Sequence, residues 1–243
     1  MVDGARHAAG PRREPAGEGE GALSWLRELG LVVLIAVVIS SLLRAFVVQV
    51  FWIPSESMHD TLVEDDRIAV LRLPHWTGDI QRGDVVVFND SLGWLPAVDS
   101  GGIAGALRSA GEFIGFVPAN GEQTLVKRVI GVGGDHVACC TAAGRLTVNG
   151  VAVDEPYLAD GQAPSTISFD VTVPEGTLWV MGDNRGHSAD SRYHMGEGET
   201  PFVPVGDVVG RARWVIWPIG HWTGLGGREA FDEVPDAESG AAR

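Results

Sequence analysis

Between Glu28 and Arg44 the chain runs for fifteen residues without a charge, "LGLVVLIAVVISSLL", almost all of them apolar. An amphipathic surface helix has one polar face, and this run has none. It must therefore be covered by protein or by lipid. It is shorter than the roughly 20 residues that a bilayer requires. Arg27 and Arg44 close the gap if their stems lie along the run and their charges reach the interfaces. Trp25 and Trp52 flank it, as interfacial aromatic residues do. A cleaved leader would need a small-residue processing site, and no clear Ala-x-Ala pattern follows. The expectation is a retained single-pass anchor over 23–46. Arg6, Arg12, Arg13 and Arg27 precede it, which predicts a cytoplasmic N-terminus and an extracytoplasmic remainder.

The flanks read differently. Residues 1–22 are Gly, Pro, Ala and charge, too poor in apolar surface to fold, and are expected to be a disordered cytoplasmic tail. Residues 228–243 carry five acids against two arginines and are expected to be an acidic, disordered tail. What remains, 47–227, suits one domain. The formal net charge of −14 argues against a nucleic-acid partner, because phosphate binding needs a basic face. The two cysteines, Cys139 and Cys140, are adjacent and match no metal-ligand spacing; free and mutually bridged states are both open. There is no HExxH and no phosphate-cradling loop, so neither a metal nor a cofactor is expected.

After the anchor the pattern changes to short runs rich in β-branched and aromatic residues, at 66–73, 83–88, 124–132, 145–153, 167–174, 176–182 and 207–217. Gly, Pro, Asn and Asp separate them, and "TVNGVAV" holds an Asn-Gly hairpin signal. This predicts a mainly β domain of bent or barrel-like antiparallel sheets. Residues 89–121 form a long Gly-rich insertion, of the kind that is functional or mobile in a compact domain.

Three stretches carry the chemistry. "FWIPSESMHDTL" (51–62) holds Ser55 and Ser57, and a serine hydroxyl needs a base before it attacks anything. "LVKRVIGVGGD" (125–135) holds Lys127, the single lysine among 18 basic residues. In a chain that otherwise uses arginine, a lone lysine is either chance or a place where arginine will not do, because lysine can lose its proton and arginine cannot. Strand alternation sets Lys127 apart from Arg128. If its face points inward, desolvation lowers its pKa and makes it a base; Arg128 is then expected to be exposed. A surface Lys-Arg pair on an edge strand is the plainer alternative. "MGDNRGHSADSRYHMG" (181–196) is so polar that it is either a solvated loop or a hydrogen-bonded site.

Taken in order, "PSESM", "GDVVVF", "KRVIGVGGD" and "GDNRGHSADSR" resemble the motif series of bacterial type I signal peptidases, the membrane-bound Ser/Lys serine proteases, over about 25–217. The resemblance implies that Ser57 is the nucleophile and Lys127 the general base, a variant of the Ser-His-Asp arrangement. It implies an oxyanion hole formed by the Ser57 backbone N–H and the Ser55 hydroxyl, with Ser188 orienting Lys127. Asp183, Arg185, Asp190 and Arg192 would support the site. The substrate would be a secretory preprotein cut at the membrane surface, with small residues at the first and third positions before the cut. By motif position Phe51, Ile53, Pro54, Met58 and Leu62 are candidates to line its pockets. Only thirteen residues separate Arg44 from Ser57, a reach of at most roughly 45 Å. Three residues depart from the family's pattern: Glu56 stands where Gly is usual, Asp60 where Pro is, and Gly133 where Pro is common. Glu56 is expected to avoid a left-handed backbone and to turn outward.

Three rivals remain. A Ser-His-Asp hydrolase could use Ser57, His187 or His194, and Asp183 or Asp190. A self-cleaving Ser/Lys repressor would also use a lysine base, but such proteins bind DNA, which the acidic charge disfavours. A tethered, non-enzymatic β binding module could use 181–196 as a recognition loop.

Overall fold

The computed structural model describes residues 18–72, 80–96 and 124–237. The chain divides into two units after Ser40. A single helix, α1 (Glu18–Phe46), dominates the N-terminal part. Its Ser24–Ser41 window has a mean hydropathy of 1.7 and none of it is covered by protein. By length and composition the helix is able to cross a membrane, since a helix satisfies its own backbone groups. The helix begins at Glu18, which corrects the expected boundary of the disordered tail. Residues 1–17 of that expected tail lie outside the described residues.

The C-terminal unit is antiparallel β throughout its described residues. One sheet contains β1 (Val48–Trp52), β2 (Arg67–Arg72), β3 (Val85–Asn89), β4 (Thr124–Val132), β9 (Thr177–Met181), β10 (Val203–Pro204), β11 (Val208–Trp217) and β12 (Thr223–Gly224). Its order is β1-β2-β11-β3-β4-β9-β10, with β12 beside β11. A smaller sheet holds β5 (His136–Cys139), β6 (Thr147–Val148), β7 (Val151–Ala152) and β8 (Phe169–Thr172), in the order β7-β6-β5-β8. Register shifts in β4, near Ile130, and at three places where β11 meets its neighbours bend the larger sheet. Asn149 (φ 51°) and Gly150 (φ 79°) make the hairpin between β6 and β7, because an Asn-Gly pair tolerates two successive left-handed residues.

Apolar alternation packs these sheets into three clusters. Phe51, Ile53, Met58 and Leu62 join Ile68, Val85 and Val215 in the cluster beneath the turn at Glu56–Met58. Trp179, Ile130 and Leu146 centre the cluster between the two sheets. The expected acidic tail is corrected there. Residues Arg228–Phe231 form a 3-10 turn, and Phe231 and Val234 are buried in that same cluster. Arg82 donates to the Val234 and Pro235 carbonyls and pairs with the buried Asp135. Two apolar side chains suffice to dock a segment whose overall charge reads as solvated. Of the insertion, 97–121 lies outside the described residues. Before it, Asp90 accepts from the Trp94 and Leu95 amides, and Trp94 packs edge-on against Phe88. Cys139 and Cys140 are bridged to each other.

Candidate active site

The turn that carries Ser55 and Ser57 grows out of β1. Ile53 and Asp65/Asp66 exchange backbone hydrogen bonds, which hold Pro54 and the extended Ser55 (φ −133°, ψ 154°) at the end of the strand. Ser55 then starts a 3-10 turn, Glu56–Met58, whose apolar residue Met58 drops into the core. That insertion fixes the turn and leaves Ser57 only 8% exposed. Asn184 clamps the turn from the far side of the site. Its backbone N–H donates to the Ser57 carbonyl (3.1 Å) and its side-chain amide to the Glu56 carbonyl (3.0 Å).

Lys127 projects from the middle of β4, opposite Val86 of β3, and is 2% exposed. Its Nζ donates to Ser57 Oγ at 2.7 Å. Burial lowers the Lys127 pKa from its ordinary value to about 8, since a desolvated ammonium is disfavoured. The negative charges of Asp190 and Asp183 oppose that shift, and Arg192 assists it. Both carboxylates are already engaged. Arg128 holds Asp183 with two parallel bonds of 2.9 and 2.6 Å. Arg192 holds Asp190 with two of 2.8 Å, and Asp190 also accepts from the Gly182 amide. Their charges are therefore spent on arginines rather than on the amine.

The third polar stretch supplies this framework. Arg185 is buried and pairs with Glu155, while also donating to the Pro164 and Gly182 carbonyls. Ser188 is buried, and its hydroxyl has no hydrogen-bond partner among the described residues. It lies against Gly182, where an added Cβ would collide with Ser188 Oγ and with the Ser57 carbonyl. The hydroxyl is thus inside the site but not bonded to Lys127.

A small apolar pocket of about 40 Å³ opens beside Ser57. Phe51, Ile53, Pro54 and Met58 line it together with Ser55, Lys127 and the start of β4, Thr124–Val126. Leu62 does not. It is fully buried in the cluster below, because its amide bonds back to the Met58 carbonyl and turns the side chain into the core. The sequence also misplaces Arg128, which is 1% exposed. It stacks 3.9 Å above the Tyr157 ring and bonds the Gly83 and Gly226 carbonyls besides Asp183. Both faces of β4 are covered here, so alternation does not separate a wet side from a dry one. Sequence reasoning further missed Asn184, Gly182, Tyr157 and Thr61, whose hydroxyl donates to Asp183 at 2.6 Å. Asn184 and Gly182 lie within the polar stretch already singled out; no local signal distinguishes Thr61 or Tyr157.

The histidines do not serve this serine. His187 contacts Asn184, and His194 pairs with Glu199 and stacks on Trp94. Glu56 is exposed and has no positive φ, as expected. Asp60 takes φ 76°, which Pro cannot adopt and Asp tolerates.

A buried serine hydroxyl bonded to a buried amine, at the mouth of an apolar pocket, is the constellation of an amine-assisted serine hydrolase. Comparison with known proteins narrows this class. Residues 26–217 match the family model described as "Signal peptidase, peptidase S26". The probable signal peptidase I of Mycobacterium leprae is 40% identical, across 84% of this chain and 80% of its own length. Signal peptidase I of Mycobacterium tuberculosis H37Rv is 40% identical across 91% of this chain and 86% of its own. Signal peptidase I U of Bacillus subtilis is 30% identical across 79% and 89%. The chain belongs to the signal peptidase family, peptidase S26, and its function is that of a type I signal peptidase.

Proposed function

We propose that this signal peptidase works through a Ser57–Lys127 dyad. The observation that carries the reading is the 2.7 Å contact between Lys127 Nζ and Ser57 Oγ, in a place dry enough to lower the amine pKa to about 8. The neutral amine takes the Ser57 proton as Oγ attacks the scissile carbonyl. The oxyanion receives hydrogen bonds from the Ser57 amide and the Ser55 hydroxyl. The C–N bond then breaks, and the ammonium of Lys127 returns its proton to the departing amine. Water, deprotonated by the same amine, splits the acyl ester and regenerates Ser57. Arg128–Asp183, Arg192–Asp190 and Arg185–Glu155 hold the walls of the site, and Ser188, buried against Gly182 with no partner for its hydroxyl among the described residues, is assigned to orient the amine.

The substrate's residues before the cut lie extended along β4. Among the described residues, Thr124–Lys127 pair with β3 on one side only, and β9 begins its own pairing at Arg128. The free side of that segment can accept a strand. The pocket is small and apolar, which favours small side chains by excluding large ones. As the resemblance to type I signal peptidases implies, the preproteins would be those with small residues at the first and third positions before the cut. α1 would span the cytoplasmic membrane with its N-terminus inside, leaving the β unit outside. The exposed Trp214, Trp217, Ile219 and Trp222 suit the bilayer interface. The deciding experiment is single-turnover cleavage of a preprotein by the wild type, Ser57→Ala and Lys127→Ala. Wild-type cleavage at one site, lost in both variants, is expected; persistence in Lys127→Ala overturns the dyad.

A further inference from the structure

Glu56 sits between the two serines of the site and belongs to neither of their surroundings. Ser55 and Ser57 both line the apolar pocket, whereas Glu56 does not. It is exposed, and no described residue pairs with its carboxylate. Its backbone is not free to drift. The carbonyl is clamped by Asn184, the preceding Ser55 is extended, and Met58 anchors the other end of the turn in the core. An exposed carboxylate with no partner among the described residues thus stands on a held backbone one residue from Ser57, outside the lining of the pocket.

The surroundings on that side reinforce its sign. Asp60 is exposed, and its carboxylate accepts from the backbone amide of Asp160, itself exposed. His59 lies 3.6 Å from Asp60 and so leaves Glu56 alone. The buried cations nearby are matched by acids: Arg128 by Asp183, Arg185 by Glu155 and Arg192 by Asp190. What reaches solvent beside the nucleophile is net negative.

On the reading that Ser57 attacks a chain seated in the pocket and along the start of β4, residues before the cut occupy that side. Residues just after the cut must leave past the opposite side of the turn, where Glu56 stands. We infer that Glu56 is a specificity-determining residue, favouring substrates with a Lys or Arg at the first or second position after the cut and disfavouring Asp or Glu there. The interaction is a partly solvated charge pair, so it biases choice without being required for the chemistry.

The test is a set of preproteins identical except for Lys, Gln or Glu at the first two positions after the cut. Each is cleaved by the detergent-solubilised full chain, and kcat/KM is read at low and high salt. Wild type should prefer Lys to Glu by about three- to tenfold, the combined effect of one attraction and one repulsion. That ratio should fall toward unity in Glu56→Gln, invert in Glu56→Lys, and shrink in 0.5 M salt (a Debye length of about 4–5 Å). Glu175→Gln removes the same charge from an exposed turn elsewhere and should leave the ratio as in wild type. A wild-type ratio near one, or the same ratio in wild type and Glu56→Gln, overturns the inference. Failure of the underlying reading looks different: no member of the set is cut, or cleavage persists in Ser57→Ala.

Discussion

Lys127 and Arg128 are neighbours on β4, both buried and both basic, yet their surroundings oppose each other. Arg128 meets a bidentate carboxylate, two carbonyls and an aromatic face. Lys127 meets one serine hydroxyl. A buried cation with a full set of partners stays charged and ties elements together; Arg128 joins β4 to the polar loop and to the Gly226 turn. A buried cation with few partners is pushed toward its neutral form, which is what a base must be. On the proposed dyad, the same strand carries a strut and a reagent one residue apart. The choice of residue matches each role, since arginine cannot give up its proton and lysine can.

The sharpest way to break this comparison is to exchange the cations. Lys127→Arg and Lys127→Ala should each lower single-turnover cleavage by at least about a thousandfold, as should Ser57→Ala. Activity in Lys127→Arg within tenfold of wild type would show that a permanently charged group suffices. On the other side of the strand, Arg128→Met should destabilise the β unit by about 3–5 kcal/mol in chemical denaturation, because it strands Asp183 without its counter-charge. Replacing Arg128 and Asp183 together by apolar residues should recover part of that loss.

Lys127→Met should do the reverse of Arg128→Met. The folded-state pKa of Lys127 is about 8, against an ordinary value of 10.5. Between those values the unfolded chain holds more protons than the folded one, so stability rises with pH through that window. Below it the penalty is fully present, about 3 kcal/mol. At pH 7 the inactive Lys127→Met should therefore be more stable than wild type by up to ~3 kcal/mol, with the gain fading by pH 10.5. The smallest of these effects is on the pH profile. kcat/KM should rise about tenfold per unit below pH 8 and level off above it, as the amine loses its proton. A flat profile from pH 6 to 10 would contradict an amine base.

Much of the site was legible because its residue types are unusual where they stand. A single lysine in an arginine-using chain, two serines after an apolar segment, and a dense polar stretch each marked one element of it. The strands at 124–132, 176–182 and 207–217 were legible from their β-branched runs. The four-residue β5 was not, since "HVAC" is too short for alternation to register. Arg128 was misread because alternation separates faces but does not say that both are covered. Leu62 was misread for a related cause: proximity to Ser57 in sequence does not tell a pocket wall from the layer beneath it. The segment 228–237 was misread because its charge outweighs Phe231 and Val234 in composition, though not in burial.

The sequence by itself determined a long apolar helix, a β-rich remainder and an amine placed where deprotonation is useful. These follow from local properties, namely hydropathy, side-chain branching and the chemistry of one functional group. Only the tertiary structure decided which serine meets that amine, since Ser57 and Lys127 are seventy residues apart and touch because β3 pairs β4 and Asn184 clamps the turn. It also decided that Arg128 is a strut, because a cation's role depends on the acceptors that other strands and loops bring to it. Desolvation and pairing are sums over neighbours, and the fold chooses the neighbours.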